Sequence, residues 1–242
     1  MTEARTETNE KRALAWGVHA FTASGAVLAL LAVAAVQRGE LYEALLWLGV
    51  AMAVDGIDGT FARAAKVRQR LPRIDGDALD LVVDFLTYVF VPVLIIRQGG
   101  FLPPPLAIPL TGAILLSSLY VFARRDMKTE DGYFRGFPAL WNIVALYFVL
   151  APPSQNVAAA FIVVLAVMTF APVHVVHPFR VRDYGAALPI VTVAWAATTA
   201  ALLLPNLGLL AQTFFLVMSL ATAGAILVMG LIRTVRGPRR DR

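Results

Sequence analysis

The sequence predicts an all-α, polytopic integral membrane protein, and three observations predict it. Of the 242 residues, 59% are hydrophobic and only 15% are charged, whereas a soluble domain is roughly half apolar and a quarter charged. Apolar stretches close to the ~20 residues that a helix needs to cross hydrocarbon recur along the whole chain. Lys and Arg, finally, gather on one side of the topology those stretches imply. The mean hydropathy of +0.71 agrees.

Taken in order, the first span is expected at 13–37, behind a polar segment of mixed charge, MTEARTETNEKR. That segment has no short apolar core and does not read as a removable signal peptide. The second span, 41–63, ends at Arg63, and the third, 76–97, opens at Gly76. RQGGFLPPP interrupts the chain before the fourth, 104–124, because Gly and Pro are poor in helix interiors. The fifth, 135–151, is short and holds Asn142; APPSQN separates it from the sixth, 155–176. A seventh span at 186–204 and an eighth at 207–232 flank LPNLG.

Basic residues test this count independently. With a cytoplasmic N-terminus, the tail carries Arg5, Lys11 and Arg12, and the second loop Arg63, Lys66, Arg68, Arg70 and Arg73. The fourth loop carries Arg124, Arg125, Lys128 and Arg135, and the sixth Arg180 and Arg182. Arg233, Arg236, Arg239, Arg240 and Arg242 follow the last span. Of 21 Lys and Arg, only Arg38 and Arg97 fall on the far side. One span more or fewer would destroy that asymmetry. The expectation is therefore about eight transmembrane helices in one domain over 1–242, with both termini cytoplasmic. The pI of 9.9 reflects topology and calls for no nucleic-acid partner. The absence of cysteine excludes disulfides and thiolate metal sites.

Against this background one stretch is anomalous. VDGIDGTFARAAKVRQRLPRIDGDALDLVVDF, from Val54 to Phe85, carries six aspartates. At 1.5 Å per residue, Asp58 lies ~8 Å and Asp55 ~12 Å below Arg63, while Asp80 lies ~6 Å and Asp84 ~12 Å below Gly76. Spacings of i,i+3 and i,i+4 place each pair on one helical face. Antiparallel second and third helices would thus bring four carboxylates into one pocket near a membrane surface. Solvated helix ends or structural ion pairs account for Asp75 and Asp77 at the loop edge, but not for Asp55 and Asp84. An intramembrane carboxylate costs ~2.5–3.5 kcal/mol even on the lenient insertion scale. Four together need cations, and oxygen-only donors suit Mg²⁺ or Mn²⁺. Gly59 and Ala62 leave room beside the aspartates, for helix packing or for a flat ligand, and Arg63 suits a phosphate. Metals and phosphate at headgroup depth point to phosphoryl chemistry on a phospholipid precursor.

Asp55-x-x-Asp58-Gly59-x-x-Ala62-Arg63 followed by Gly76-x-x-x-Asp80-x-x-x-Asp84 resembles the signature of the CDP-alcohol phosphatidyltransferases, with all eight positions present. The twelve residues between Arg63 and Gly76 exceed the family's usual spacing of about eight and are similar to the bacterial phosphatidylcholine synthase branch. The eight spans, HAFTASG, MKTEDGYFRGFPALWN and HPFRVR look like that branch too. The resemblance implies a one-step transfer in which choline attacks CDP-diacylglycerol and CMP leaves. It implies two divalent ions, Mn²⁺ or Mg²⁺, on Asp55, Asp58, Asp80 and Asp84, with Asp84 as general base. Gly59, Ala62, Arg63 and Gly76 would contact the CDP moiety. It further implies a multi-pass protein of the bacterial inner membrane, surrounded by membrane lipids, with its active site facing the cytoplasm. Homodimers are common in the family.

A quaternary ammonium is held by aromatic faces, and Tyr88, Tyr133 and Trp141 are the candidates for choline, with Glu130 and Asp131 near two of them. An interfacial aromatic belt would also place such residues here. For His19, inside the first helix, a structural hydrogen bond is the default expectation. Serine or glycerol 3-phosphate is the alternative acceptor. A cation transporter is the alternative class, but such proteins show inverted repeats and midplane sites, and neither is legible here.

Overall fold

The computed structural model describes residues 2–238, with side chains from residue 9. Of the basic clusters above, the Arg5 side chain and Arg239, Arg240 and Arg242 lie outside the described residues. In chain order the helices are α1 (Thr2–Gln37), α2 (Leu41–Ala64), a short α3 (Val67–Arg70), α4 (Gly76–Gln98) and α5 (Pro104–Ala123), then α6 (Trp141–Leu150), α7 (Gln155–Met168), α8 (Ala187–Leu202) and α9 (Leu209–Arg236). Strand β1 (Phe134–Arg135) precedes α6 and strand β2 (His174–Val175) follows α7.

The chain is a mostly helical membrane protein. Among the described residues, five segments are long and apolar enough to cross a bilayer: Asn9–Gln37, Leu41–Ala64, Gly76–Gln98, Pro104–Ala123 and Leu209–Arg236. Helices α6, α7 and α8 coincide with the other three expected spans, but they are shorter, at 10, 14 and 16 residues.

Two boundaries differ from expectation for one reason. The fifth helix starts at Trp141 rather than 135, and the sixth ends at Met168 rather than 176. Of the residues released, Arg135, His174 and Val175 join Phe134 in an antiparallel ribbon, Phe134 with Val175 and Arg135 with His174. Pro138 and Pro172 disfavour helix on either side of it, since proline lacks a donor and pushes the preceding residue out of the α region. Gly136 makes the turn at φ +80°, and a Cβ there would lie 2.3 Å from the Thr169 carbonyl oxygen, so only glycine fits. At the N-terminus α1 begins well before residue 13, because the Glu, Lys and Arg of the polar segment are good helix formers.

The chain divides into two compact units, Met1–Gly99 with Trp141–Leu146, and Gly100–Leu140 with Tyr147–Arg242. In the first unit, Ala15, Ala29, Ala32 and Ala35 of α1 and Ala44 and Ala51 of α2 are buried. Small side chains of this kind let helices approach closely where lipid gives no hydrophobic drive to associate. Gly25 does the same towards α4, where a Cβ would lie 2.5 Å from Cγ1 of Val83. The second unit is tied by polar contacts within apolar surroundings. The Trp195 indole donates to the Tyr147 hydroxyl at 2.9 Å, and the fully buried Ser219 hydroxyl lies 2.7 Å from those of Tyr147 and Thr199. Each of these four side chains thus has a partner, as buried polar atoms require.

Candidate active site

The first unit holds all eight signature residues. Helix α2 ends at Ala64, with Lys66 turning out at φ +46°. Helix α4 starts under an N-cap: the Asp75 carboxylate accepts from the backbone amides of Asp77 and Ala78, both at 3.1 Å. Asp77 pairs with Arg68. Asp75 and Asp77 are therefore rim residues with structural tasks.

Deeper in, the faces of α2 and α4 meet. One carboxylate oxygen from each of Asp55, Asp80 and Asp84 lies within 4.8 Å of the others. The Asp84 Oδ1 atom is buried and accepts no hydrogen bond. Ionised carboxylates accept only, so three converging on one another, one with an orphaned oxygen, form an arrangement that a hard divalent cation completes. The residues present fit such an ion.

Asp58 is set slightly apart. It is buried, and the Thr22 hydroxyl of α1 stands against its carboxylate. Helical geometry explains the difference. Four residues turn the chain by about 400° and keep Asp80 and Asp84 nearly aligned, whereas three residues leave Asp58 about 60° away from Asp55. That rotation points it partly towards α1, so a third helix joins the site.

Tyr88 belongs to the cluster by a direct bond. Its hydroxyl donates to Oδ2 of Asp55 at 2.6 Å. It lies in a π-helical stretch, Phe85–Phe90, beginning one residue after Asp84, and such turns are rare and frequent at functional sites. Partners of this kind fix the orientation of metal-binding carboxylates, and losing one costs about 10–100-fold in metal affinity. Tyr88→Phe is accordingly expected to raise the Mn²⁺ concentration that half-saturates the protein by about tenfold or more. Titration followed by the paramagnetic resonance of free Mn²⁺ reads this directly, and an unchanged midpoint would remove Tyr88 from the orienting role.

Around the carboxylates, Gly59 and Ala62 are half-buried. Arg63 is exposed; its Nη2 donates to the Thr60 hydroxyl at 3.0 Å, and a Cβ on Gly59 would lie 3.4 Å from its Nη1. Gly76 opens α4 with its Cα against the His19 ring. Of the other aromatic candidates, Trp141 is fully buried in the first unit at the start of α6. Tyr133 lies in the second unit, also fully buried. Its hydroxyl donates to Asp183 at 2.7 Å, and the Arg233 guanidinium stands 5.5 Å over its ring. Burial and the Asp183 carboxylate raise the Tyr133 pKa, so the phenol keeps its proton. Glu130 and Asp131 lie in the second unit, where Asp131 accepts from the Arg233 Nε at 2.7 Å. Burial, helped by Lys128 and Arg180, holds His177 down at about 4, and burial likewise lowers His174.

Two contributors escaped the sequence reading. Thr22 had no assigned task, and His19 was expected to hold a structural hydrogen bond. His19 is buried, yet its Nε2 has no partner. The available signal was HAFTASG itself, polar side chains three residues apart inside an otherwise apolar helix.

Comparison with known proteins places this geometry in context. Residues 19–171 match the family described as CDP-alcohol phosphatidyltransferase. A protein of Pseudomonas aeruginosa named phosphatidylcholine synthase is 46% identical over 192 residues, which is 79% of this chain and 81% of that one. Proteins of the same name from Bradyrhizobium diazoefficiens and Agrobacterium fabrum are 48% and 37% identical. Those matches cover 70% and 76% of this chain, and 64% and 76% of theirs. With the signature carboxylates gathered on two packed helices and a family match over most of its length, the chain belongs to the CDP-alcohol phosphatidyltransferases.

Proposed function

We propose that this protein is a phosphatidylcholine synthase, which transfers the phosphatidyl group of CDP-diacylglycerol to choline and releases CMP. The observation that carries this reading is the Asp55–Asp80–Asp84 cluster in a chain whose relatives share that printed name.

In the reaction, the choline hydroxyl attacks the phosphorus that bears diacylglycerol. A bond forms from choline oxygen to phosphorus, and the bond from that phosphorus to the bridging oxygen breaks, so that CMP departs with the electron pair. The hydroxyl proton goes to Asp84, a carboxylate within the cluster and suited to general-base work. When bound, two divalent ions, Mg²⁺ or Mn²⁺, held by Asp55, Asp58, Asp80 and Asp84, neutralise charge on the pyrophosphate. Tyr88 keeps Asp55 in position. Arg63, exposed at the end of α2, attracts the nucleotide phosphates, and Gly59, Ala62 and Gly76 leave space for the CDP moiety. For choline, at least one of the rings of Tyr88, Tyr133 and Trp141 is the proposed contact.

The distribution of basic residues supports an inner-membrane protein with about eight spans, both termini cytoplasmic and the site opening to the cytoplasm. That placement lets a water-soluble nucleotide and choline reach a lipid whose acyl chains stay in the bilayer. A homodimer is the assembly proposed from the family resemblance.

The test is CMP release by purified protein given CDP-diacylglycerol, Mn²⁺ and one alcohol at a time. Release with choline should exceed that with serine or glycerol 3-phosphate by at least about tenfold, the scale on which a site separates acceptors. Comparable release with another alcohol would overturn choline as the acceptor. No release with any alcohol would overturn the enzyme reading.

A further inference from the structure

His19 lies among the signature residues without belonging to the signature. It is 6% exposed, and its Nε2 is buried without a hydrogen-bond partner. A buried polar atom left unpaired is costly, and natural structures rarely carry one without a reason. Two contacts place the ring. A Cβ on Gly76 would lie 3.0 Å from the His19 Cε1 atom and 3.7 Å from Nδ1, so the imidazole occupies the space that this glycine leaves open. Thr22, three residues along the same face of α1, stands against Asp58. The face of α1 that carries His19 and Thr22 thus lies against both signature helices, with His19 at the level where α4 begins. Asp80, one of the clustered carboxylates, is one turn further along α4.

We propose that His19 is a binding residue for the nucleotide half of CDP-diacylglycerol, its Nε2–H donating to an oxygen of the nucleotide when the donor substrate enters. The inference rests on the reading of CDP-diacylglycerol as the donor. Among the substrates, the nucleotide is the partner of best-matching chemistry: its phosphates, sugar and base offer many acceptors, whereas the other acceptors are the choline hydroxyl, which is the attacking group, and the ester carbonyls of the diacylglycerol. Gly76 then has a definite task. Beside the CDP moiety, it leaves the space in which the imidazole sits.

The experiment uses purified full-length protein in detergent with Mn²⁺, and CMP as the probe, with affinity read by calorimetry. His19→Ala is expected to weaken CMP binding by about tenfold, the scale of one lost hydrogen bond. The KM for CDP-diacylglycerol should rise in parallel, while the KM for choline stays within about twofold. His19→Gln, whose amide can reach the same place, should recover part of the loss. CMP affinity unchanged in folded His19→Ala, or a loss confined to the choline KM, would overturn the assignment. Should His19→Ala fail to fold, His19→Gln and Gly76→Ala keep the question open to test. In Gly76→Ala the new methyl displaces the ring, so CMP affinity falls several-fold in the presence of His19. In a His19→Gln background the same change should cost less, and fully additive losses would overturn the coupling. A wild-type protein that binds no CMP overturns both this inference and the donor assignment. Intact CMP binding that depends on His19, with no turnover of choline, supports His19 and removes only the acceptor.

Discussion

Replacing Asp84 with asparagine is expected to abolish CMP release, by about 10²–10⁴-fold, the range that a positioned general base contributes, while CDP-diacylglycerol still binds. Asparagine preserves shape and removes the ability to take up a proton. In the wild-type protein the Asp84 Oδ1 atom is buried and uncommitted, on the helix turn below Asp80 and within the carboxylate cluster. Loss of fold gives a different signature. Carboxylates in proximity repel, so removing one should leave the metal-free protein at least as resistant to heat as the wild type. Binding of CDP-diacylglycerol by the folded variant, with turnover lost, is the expected pair of results. Retained turnover would take Asp84 out of the base role.

The second large effect concerns the cluster as a whole. Removing divalent cations with a chelator should stop turnover and lower the unfolding temperature, and adding Mn²⁺ or Mg²⁺ should restore both. A ligand at a hundred times its dissociation constant stabilises the folded state by about 2.7 kcal/mol. In a chain of this size that corresponds to roughly 5–10 °C. The decisive comparison is Asp55→Asn. Without metal it should unfold at a higher temperature than the wild type, because one of several crowded negative charges is gone. With saturating metal it should unfold at a lower one, because a donor is gone. A structural cluster predicts no such crossing of the two orders, so parallel curves with and without Mn²⁺ would overturn the metal-site reading. Thermal unfolding followed by intrinsic fluorescence suffices to decide it.

Some features were legible in the sequence because they depend on short-range regularities. A run of apolar residues specifies a membrane helix through length and transfer energy alone, which is why five long spans fall close to where composition put them. The i,i+4 spacing of Asp80 and Asp84 fixes their common face wherever α4 packs. The ends of α6 and α7 were harder to read. Residues 135–140 and 169–176 are apolar enough to extend a helix, and the ribbon of Phe134–Arg135 with His174–Val175 exists only because residues some forty positions apart come together. Proline and glycine in those stretches announced a break but not its form.

The aspartate cluster divides along the same line. Sequence alone determined the apolar spans and the presence of four carboxylates on two neighbouring helices, since these follow from composition and residue spacing, and its eight signature positions carried the family resemblance. Only the tertiary structure decided that Asp55, Asp80 and Asp84 converge while Asp58 turns towards Thr22. Only it showed that Tyr88 holds Asp55 and that the His19 ring packs against Gly76 with its Nε2 atom unpartnered. These are contacts between helices. They depend on how closely α1, α2 and α4 approach and how far each is rotated about its axis, and helical periodicity leaves both quantities undetermined until the helices pack.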